Sequence, residues 1–193
     1  MQNEAVIDIE TKNTFSDVEG SQGVKGLRIS VVCAYFSDTN TYESFEEHEL
    51  PKLWKRLEEM DRIIGYNILH FDFPVMNNYY AGDFLKFNAL DLLVEVEKGL
   101  GFRVKLDDLA QANLGSGKTG TGLLAVELYK QGKIKELKDY CMRDVEVTRL
   151  LYERGLAYGK LLFNDRFSGM REVPVDFSFK SNKQSTVNLT IPF

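Results

Sequence analysis

The order of strand-like and helix-like segments constrains the fold of this chain more than any other feature. Three apolar runs with strand character come first, at residues 4–10, 27–36 and 41–45. A helical pattern at 46–60 and a short apolar run at 62–66 follow, and helices then alternate with strands. Consecutive strands joined by short turns form antiparallel meanders, whereas strands separated by helices pair in parallel. The sequence therefore predicts an α/β fold whose mixed sheet, an antiparallel meander followed by parallel strands, is flanked by helices.

Further helices are predicted where apolar residues recur every three or four positions. The candidates are residues 73–80, 92–98, 106–113, 123–131 and 134–158, and the last is the longest. Two extended runs at 160–163 and 172–179 then flank a turn at Ser168 and Gly169, which predicts a hairpin. Residues 187–193 alternate in polarity and are a candidate edge strand.

The length of the chain favours one domain. A chain of 193 residues with 44% hydrophobic residues can bury a substantial core but is short for two ordinary domains. We expect residues 1–163 to form the domain and residues 164–193 to form a hairpin and extension packed on it.

Charge and composition exclude several classes of protein. A net charge of −5 is opposite in sign to the field of a general nucleic-acid coat protein, although an enzyme can bind nucleic acid through metal ions. No apolar run approaches the roughly 18 residues of a membrane span, and the polar start at residues 1–4 is unlike a signal peptide. Cys33 and Cys141 lack metal-binding spacing and are predicted to be buried, reduced thiols. We expect a cytoplasmic protein with no membrane partner.

Asp8 and Glu10 lie one residue apart in the first apolar run. Alternate side chains of a strand share a face, so both carboxylates project together while Ile7 and Ile9 face the other layer. Two neighbouring acids repel each other unless a cation lies between them. The pair therefore predicts a divalent cation site, and an exposed pair on an edge strand is the alternative.

Two further acids occupy positions that invite explanation. Asp144 interrupts the apolar stripe of the longest helix, one turn after Tyr140, and a buried acid there needs a metal or a partner such as Arg143 or Arg149. Asp72 comes just before Pro74, where a helix begins, so capping of that helix explains it without any chemistry.

Together, these segments resemble the three exonuclease motifs of the DEDD superfamily of 3′-to-5′ exonucleases. The tyrosine four residues before the last acid is the mark of the DEDDy subgroup; the sister subgroup has a histidine five residues before it, where this chain has Asp139. The second motif looks especially like that of the proofreading domain of family-B DNA polymerases and related stand-alone exonucleases. The resemblance spans residues 5–163 and implies a ribonuclease-H-like fold. The matching segments are Asp8-Ile9-Glu10, Asn67-x3-Phe71-Asp72 and Tyr140-x3-Asp144.

The resemblance also implies roles for the residues of these motifs. Asp8 would bridge two Mg²⁺ or Mn²⁺ ions, Glu10 and Asp144 would complete one site, and Asp72 would hold the other ion, through water. Tyr140 would orient the attacking water rather than act as a strong base. Hydrolysis of a phosphodiester needs an activated water and charge relief, which two ions about 4 Å apart provide, and oxygen ligands suit these hard ions.

Candidate substrate contacts surround these acids. We expect them from Thr11, Asn67, Phe71 and Lys118. An aromatic-rich zone could stack on bases, although core packing explains most of it, and a cluster of lysines could meet phosphates or form a solvated helix face. The zone comprises Tyr66, Phe71, Phe73, Tyr79 and Tyr80, and the lysines are Lys130, Lys133, Lys135 and Lys138.

The glycine-rich segment at residues 115–120 is similar to a nucleotide-binding P-loop but does not match it. The P-loop pattern requires glycine where this chain has Ala112, and the segment follows a helix rather than a strand. Contact between Lys118 and a substrate backbone, or a plain connector, are the remaining interpretations.

The sequence as a whole predicts a metal-dependent 3′-to-5′ exonuclease acting on single-stranded or frayed 3′ ends, of DNA rather than RNA. Two alternatives remain: a non-catalytic nucleic-acid-binding module that retains the fold, and an endonuclease of the broader ribonuclease-H-like group. A separate polymerase or helicase is the expected protein partner.

Overall fold

The computed structural model describes residues 2–18, 20–115 and 122–180 and contains two sheets and their flanking helices. The strands are β1 (Glu4–Thr11), β2 (Ile29–Phe36), β3 (Thr41–Glu46), β4 (Arg62–Gly65), β5 (Ala89–Asp91), β6 (Lys160–Asp165) and β7 (Gly169–Pro174). The helices are α1 (Leu50–Glu58), α2 (Asp72–Met76), α3 (Leu92–Leu100), α4 (Leu106–Leu114), α5 (Gly122–Lys130) and α6 (Ile134–Tyr158). None of the helices in these ranges combines the length and the apolarity needed to cross a membrane.

The main sheet has the strand order β3-β2-β1-β4-β5. Strands β1, β2 and β3 pair antiparallel, whereas β4 pairs parallel with both β1 and β5. The predicted mixed sheet, with a meander followed by parallel strands, is confirmed. Because β1, β4 and β5 run in the same direction, their carboxyl ends meet at one edge of the sheet.

Both faces of the main sheet are covered, and β1 contributes to both. Val6 faces a core that it shares with side chains of α6, while Ile7 and Ile9 face a second core formed with α1 and α2. This alternation has the period of two that a strand imposes. Asp8 therefore shares the α6 side of the sheet with Val6.

Helix α6 has the predicted bounds, but the segment predicted at 73–80 does not. Its helix, α2, ends at Met76 because the next two side chains bind backbone outside the helix. Asn77 accepts a hydrogen bond from the amide of Phe84 (2.9 Å), and the amide group of Asn78 donates to the carbonyl of Lys25 (3.1 Å).

The predicted C-terminal hairpin is present as β6 and β7, which pair antiparallel. Asn113 of α4 ties it to the domain, accepting from the amide of Leu162 (2.8 Å) and donating to its carbonyl (2.7 Å). The division into residues 1–163 and 164–193 stays a prediction. The candidate edge strand at 187–193 lies outside the described residues.

The chain after β7 crosses the amino ends of β1 and β4, where it binds Arg62. This arginine is 3% exposed and donates to the carbonyl oxygens of Phe177 (3.1 Å) and Ser178 (3.0 Å). The same guanidinium pairs with Glu4 (2.6 Å) and donates to the hydroxyl of Tyr152 (2.6 Å). Every nitrogen of this buried cation therefore meets an oxygen.

Candidate active site

Three carboxylates from two distant segments meet beside the sheet. Asp8 and Glu10 project from β1 toward α6, which presents Asp144 to them. One carboxylate oxygen from each residue lies within 4.8 Å of the other two. The alternative interpretation, an exposed pair on an edge strand, is wrong, because β1 is the central strand and Glu10 is 8% exposed.

The two cysteines lie between β1 and α6. Both are free and buried, as predicted. Cys33 is the register partner of Asp8 on β2. The Cys141 thiol of α6 donates to the Asp8 carbonyl (3.5 Å) and approaches its carboxylate (3.7 Å). These small side chains allow the helix to approach the strand closely enough for the acids to meet.

Burial and mutual repulsion raise the pKa of two of these acids. The pKa of Asp8 lies well above its ordinary range, first because of burial and then because of Glu10, Asp144 and Asp72. The pKa of Glu10 is raised by burial and then by Asp144 and Asp72. Among the described residues no ion pair reaches Asp8, Glu10 or Asp72. A bound cation would relieve this repulsion.

Asp72 lies beside this group, at the start of α2. The capping explanation for it is wrong, because Phe71 occupies the cap position and Asp72 is the first helical residue, 2% exposed. Its Oδ1 atom is buried without a hydrogen-bond partner among the described residues. Burial, followed by the charge of Asp91, raises the pKa of Asp72 to about 8. A buried carboxylate oxygen of this kind is available as a ligand.

Arg149, one of the two arginines considered as partners of Asp144, is engaged by other residues. That guanidinium donates to the hydroxyl of Tyr42 (2.8 Å) and to Glu153 (2.6 Å). Arg143 lies on the exposed side of α6. Asp144 itself is half-buried and faces the other acids.

Tyr140 lies one turn before Asp144 and lines the same cavity. The pKa of its hydroxyl is raised far above its ordinary value by burial, then by Asp144, Glu10 and Asp8. The phenol is therefore neutral at any physiological pH. In that state it can both donate and accept a hydrogen bond, which suits it to hold a water molecule.

The acids form one wall of a cavity of about 440 Å³. The predicted contacts Thr11, Asn67 and Phe71 also line it, whereas Lys118 lies outside the described residues. A group of apolar side chains, the apolar wall, also contributes to the lining. Its members are Phe15, Leu27, Phe71, Leu123 and Val126.

Four of these apolar residues, Phe15, Leu27, Leu123 and Val126, were not predicted from the sequence as part of the site, and two of them are well exposed. Phe15 is 57% exposed and meets the ring of Phe71 edge-on at 6.2 Å, and Leu123 is 62% exposed. A capping box between Thr14 and Asp17 holds the short turn that carries Phe15. The Thr-x-x-Asp spacing that follows the first motif was the one sequence signal for this turn.

The predicted aromatic zone divides into two parts. Tyr66 and Phe71 line the cavity, whereas Phe73 is fully buried against Phe84 (5.2 Å between ring centroids). The hydroxyl of Tyr79 accepts a hydrogen bond from the backbone N–H of Ile29, at the start of β2 (3.0 Å). Core packing thus explains the second part.

Three of the four lysines of the predicted cluster, Lys130, Lys133 and Lys138, lie in ion pairs. Lys138 pairs with Glu46 (2.6 Å), and Lys130 approaches Asp17 (3.8 Å). Contact of these lysines with phosphates stays a prediction.

Asp91, at the end of β5, is a further residue that the sequence did not reveal. Its carboxylate accepts from the backbone amides of Asn67 (2.8 Å), Leu69 (3.1 Å) and Leu93 (3.0 Å). It thereby caps α3 and fixes the loop between β4 and α2. The only signal was an acid directly before a helical pattern.

The donor set fits divalent cations such as Mg²⁺ or Mn²⁺. All four candidate ligands are carboxylates, the donors that hard cations prefer. The raised pKa values of Asp8 and Glu10 and the bare Asp72 oxygen each favour a cation at this place.

Comparison with known proteins agrees with the fold. The sequence model of the RNase_H superfamily matches residues 5–155. A family B DNA polymerase from the hyperthermophilic archaeon Pyrobaculum calidifontis is structurally similar, with a TM-score of 0.61 and 19% sequence identity over 81% of this chain. The match covers 25% of that polymerase. No curated protein matches the sequence.

Proposed function

The chain belongs to the RNase_H superfamily, and from that premise we propose that it is a metal-dependent 3′-to-5′ exonuclease of the DEDDy type. Its substrate would be the single-stranded or frayed 3′ end of DNA. The observation that supports this most strongly is the meeting of Asp8, Glu10 and Asp144 within 4.8 Å on the wall of a cavity. Superfamily membership alone supports nuclease chemistry; the direction and the substrate are part of the proposal.

Each acid has a proposed place in metal binding. Asp8 would be shared by two ions, Glu10 and Asp144 would complete one site, and Asp72 would serve the other through water. Asp72 stands outside the group of three within 4.8 Å, which agrees with a ligand for a second ion. When bound, two such ions supply an activated water and charge relief at the phosphate and the leaving oxygen.

Tyr140 would hold the attacking water. Its neutral hydroxyl lies on the same helix face as Asp144, so a water between them could donate to the carboxylate and accept from the phenol. The raised pKa of the Tyr140 hydroxyl argues against its acting as a base.

The apolar wall would receive the terminal base. The rings of Phe15 and Phe71 could stack on any of the four bases, because every base has a stacking surface. Such a contact needs a base that is free of its pairing partner, which favours single-stranded or frayed ends. The preference for DNA rests on the likeness to a DNA polymerase.

The test is degradation of 5′-labelled single-stranded DNA and of its RNA counterpart, in Mg²⁺, in Mn²⁺ and in EDTA. We expect a ladder that shortens from the 3′ end in either metal, and none in EDTA, for Asp8→Ala or for Asp144→Ala. Asp139→Asn is the matched control, because it removes an exposed acid from the same helix.

Two outcomes would overturn the proposal. Cleavage of circular single-stranded DNA would make the protein an endonuclease. Retardation of both substrates on a gel without degradation in either metal would make it a binding module. Partnership with a separate polymerase or helicase stays a prediction.

A further inference from the structure

Asn67, in the loop after β4, has almost every polar atom engaged. Its backbone N–H donates to Asp91 (2.8 Å), and its carbonyl accepts from the amides of His70 (3.2 Å) and Phe71 (3.0 Å). Its side-chain oxygen accepts a hydrogen bond from Arg103. Among the described residues only the side-chain nitrogen has no recorded partner, and Asn67 lines the cavity.

The arginine determines which way the Asn67 amide faces. A guanidinium has donors only, so the amide must turn its oxygen, not its nitrogen, toward Arg103. The backbone of Asn67 is also fixed, in the left-handed region with φ 68°, which asparagine tolerates better than most residues. The side-chain N–H₂ group is therefore left as a donor with a set direction.

Arg103 is itself held in place from two sides. It lies on the loop after α3, where its guanidinium approaches Glu97 (3.5 Å). The neighbouring carbonyl of Val104 accepts a hydrogen bond from the hydroxyl of Tyr66 (2.8 Å). Two consecutive residues of one loop thus bind two consecutive residues of the other.

We propose that Arg103 is a positioning residue for the substrate. It orients the amide of Asn67 so that the side-chain N–H₂ group donates to an acceptor oxygen of the terminal nucleotide, from its phosphodiester or its sugar. Arg103 does not line the cavity, so it acts through Asn67 rather than on the nucleotide. The inference rests on the proposed function: it adds Arg103 as a positioning residue and specifies the group through which the expected contact Asn67 would bind.

The test compares Arg103→Ala, Asn67→Ala and the double variant in steady-state hydrolysis of single-stranded DNA. We expect each single variant to raise KM about 5- to 20-fold with kcat within about 2-fold, because one hydrogen bond to a charged or polar acceptor is lost. The double variant should be no worse than either single variant, because both remove the same contact.

Three further variants separate orientation from charge. Arg103→Lys keeps a donor for the Asn67 oxygen and should recover part of the loss. Asn67→Asp keeps the pairing with Arg103 but replaces the donor by an acceptor, so its KM should rise at least as much as that of Asn67→Ala. Arg154→Ala, which removes an arginine stacked on Tyr158 far from the site, should leave KM unchanged.

Several results would overturn the inference. One is an unchanged KM in Arg103→Ala. Another is a rise in KM on changing Arg103 to Ala that is equally large in the wild type and in Asn67→Ala, because Arg103 would then contact the substrate directly. If the wild type degrades nothing, the proposed function fails, and the same comparison is made on the Kd for labelled single-stranded DNA in Ca²⁺. There, a Kd of Arg103→Ala equal to that of the wild type would overturn the inference as well.

Discussion

The amino and carboxyl ends of β1 and β4 differ in how their buried charges are compensated. At the amino end, Arg62 and Glu4 neutralise each other, and the arginine also donates to two backbone carbonyls and to the hydroxyl of Tyr152. At the carboxyl end, Asp8 and Glu10 meet further acids, and each neighbouring charge raises their pKa values.

The difference separates stability from function within one sheet. The charge of Arg62 is compensated by groups of the protein itself, so it requires no bound ion, and its hydrogen bonds hold the C-terminal segment against the strands. A buried group of like charges is costly until something cationic arrives. Binding of the proposed cations would therefore be coupled to folding at the carboxyl end.

The largest effect is expected at the carboxyl end. Asp8→Asn should lower the rate of DNA hydrolysis about 10³-fold or more, equivalent to about 4 kcal/mol, because a shared ligand is lost. The same change should raise the melting temperature in EDTA, because it removes one of the repelling charges. Activity assays and thermal unfolding check both. Retention of a tenth of the activity, or a lower melting temperature in EDTA, would contradict the comparison.

Removing the buried ion pair at the amino end should lower the stability and leave the activity nearly unchanged. Arg62→Met should destabilise the protein by about 3 kcal/mol, because Glu4 and two carbonyls lose a buried partner. The rate of hydrolysis per folded molecule should change little. Adding Glu4→Gln to the Arg62→Met variant should recover part of the lost stability, because it removes the unpaired charge. Urea unfolding measures this, with Arg154→Met as the control, because Arg154 is only partly buried and stacks on Tyr158. A selective loss of activity in folded Arg62→Met would show that the ends are not independent.

A smaller effect is expected from Gly155→Ala, under the C-terminal segment. A Cβ atom there would lie 2.2 Å from a ring carbon of the buried Phe177, so the segment must shift, at a cost of about 1–3 kcal/mol. Leu156→Ala, at the exposed neighbouring position, is the control. Urea unfolding of both variants gives the cost, and a Gly155→Ala variant as stable as the wild type would mean that Phe177 does not anchor the segment.

The smallest effect per step of the measurement, at most about 1.4 kcal/mol per pH unit for one group, is a pH dependence that belongs to the carboxyl end. The pKa of Asp72 is about 8 in the folded protein and about 3.8 in an open chain. Between these values the folded state keeps a proton that the unfolded state releases, so stability in EDTA should fall as pH rises from 4 to 8. Mg²⁺ should flatten the slope by replacing the proton, and Asp72→Asn should reduce it.

The control for this measurement is Asp38→Asn. Hydrogen bonds and charge from Arg56 lower the pKa of Asp38, so above about pH 5 it is largely ionised in both states and adds little to the slope there. Thermal unfolding at several pH values supplies the data. An equal change of slope in both variants would contradict the assignment to Asp72.

Local periodicity was sufficient to predict much of the fold and part of the site. The period of two placed Asp8 and Glu10 on one face, and the four-residue spacing placed Tyr140 beside Asp144. Helix α6 could be bounded because its pattern runs without a break to Gly159, where φ is 63°. These are properties of short stretches of chain.

Features that depend on distant contacts could not be predicted in this way. Asp72 looked like a helix cap because nothing near it in sequence shows that the acids of β1 approach it. Strand β5 was missed because three residues are too few to show a period. The link between Arg103 and Asn67 joins two loops 36 residues apart. Only the packing of the sheet brings such residues together.

The central position of β1 has a consequence for hydrogen exchange. Its amides pair with β2 on one side and β4 on the other, so they should exchange only when the whole domain opens. Asp72 lies instead where a loop enters a helix of five residues. Exposure of its surroundings by local opening should therefore be far more frequent than exposure of Asp8 or Glu10.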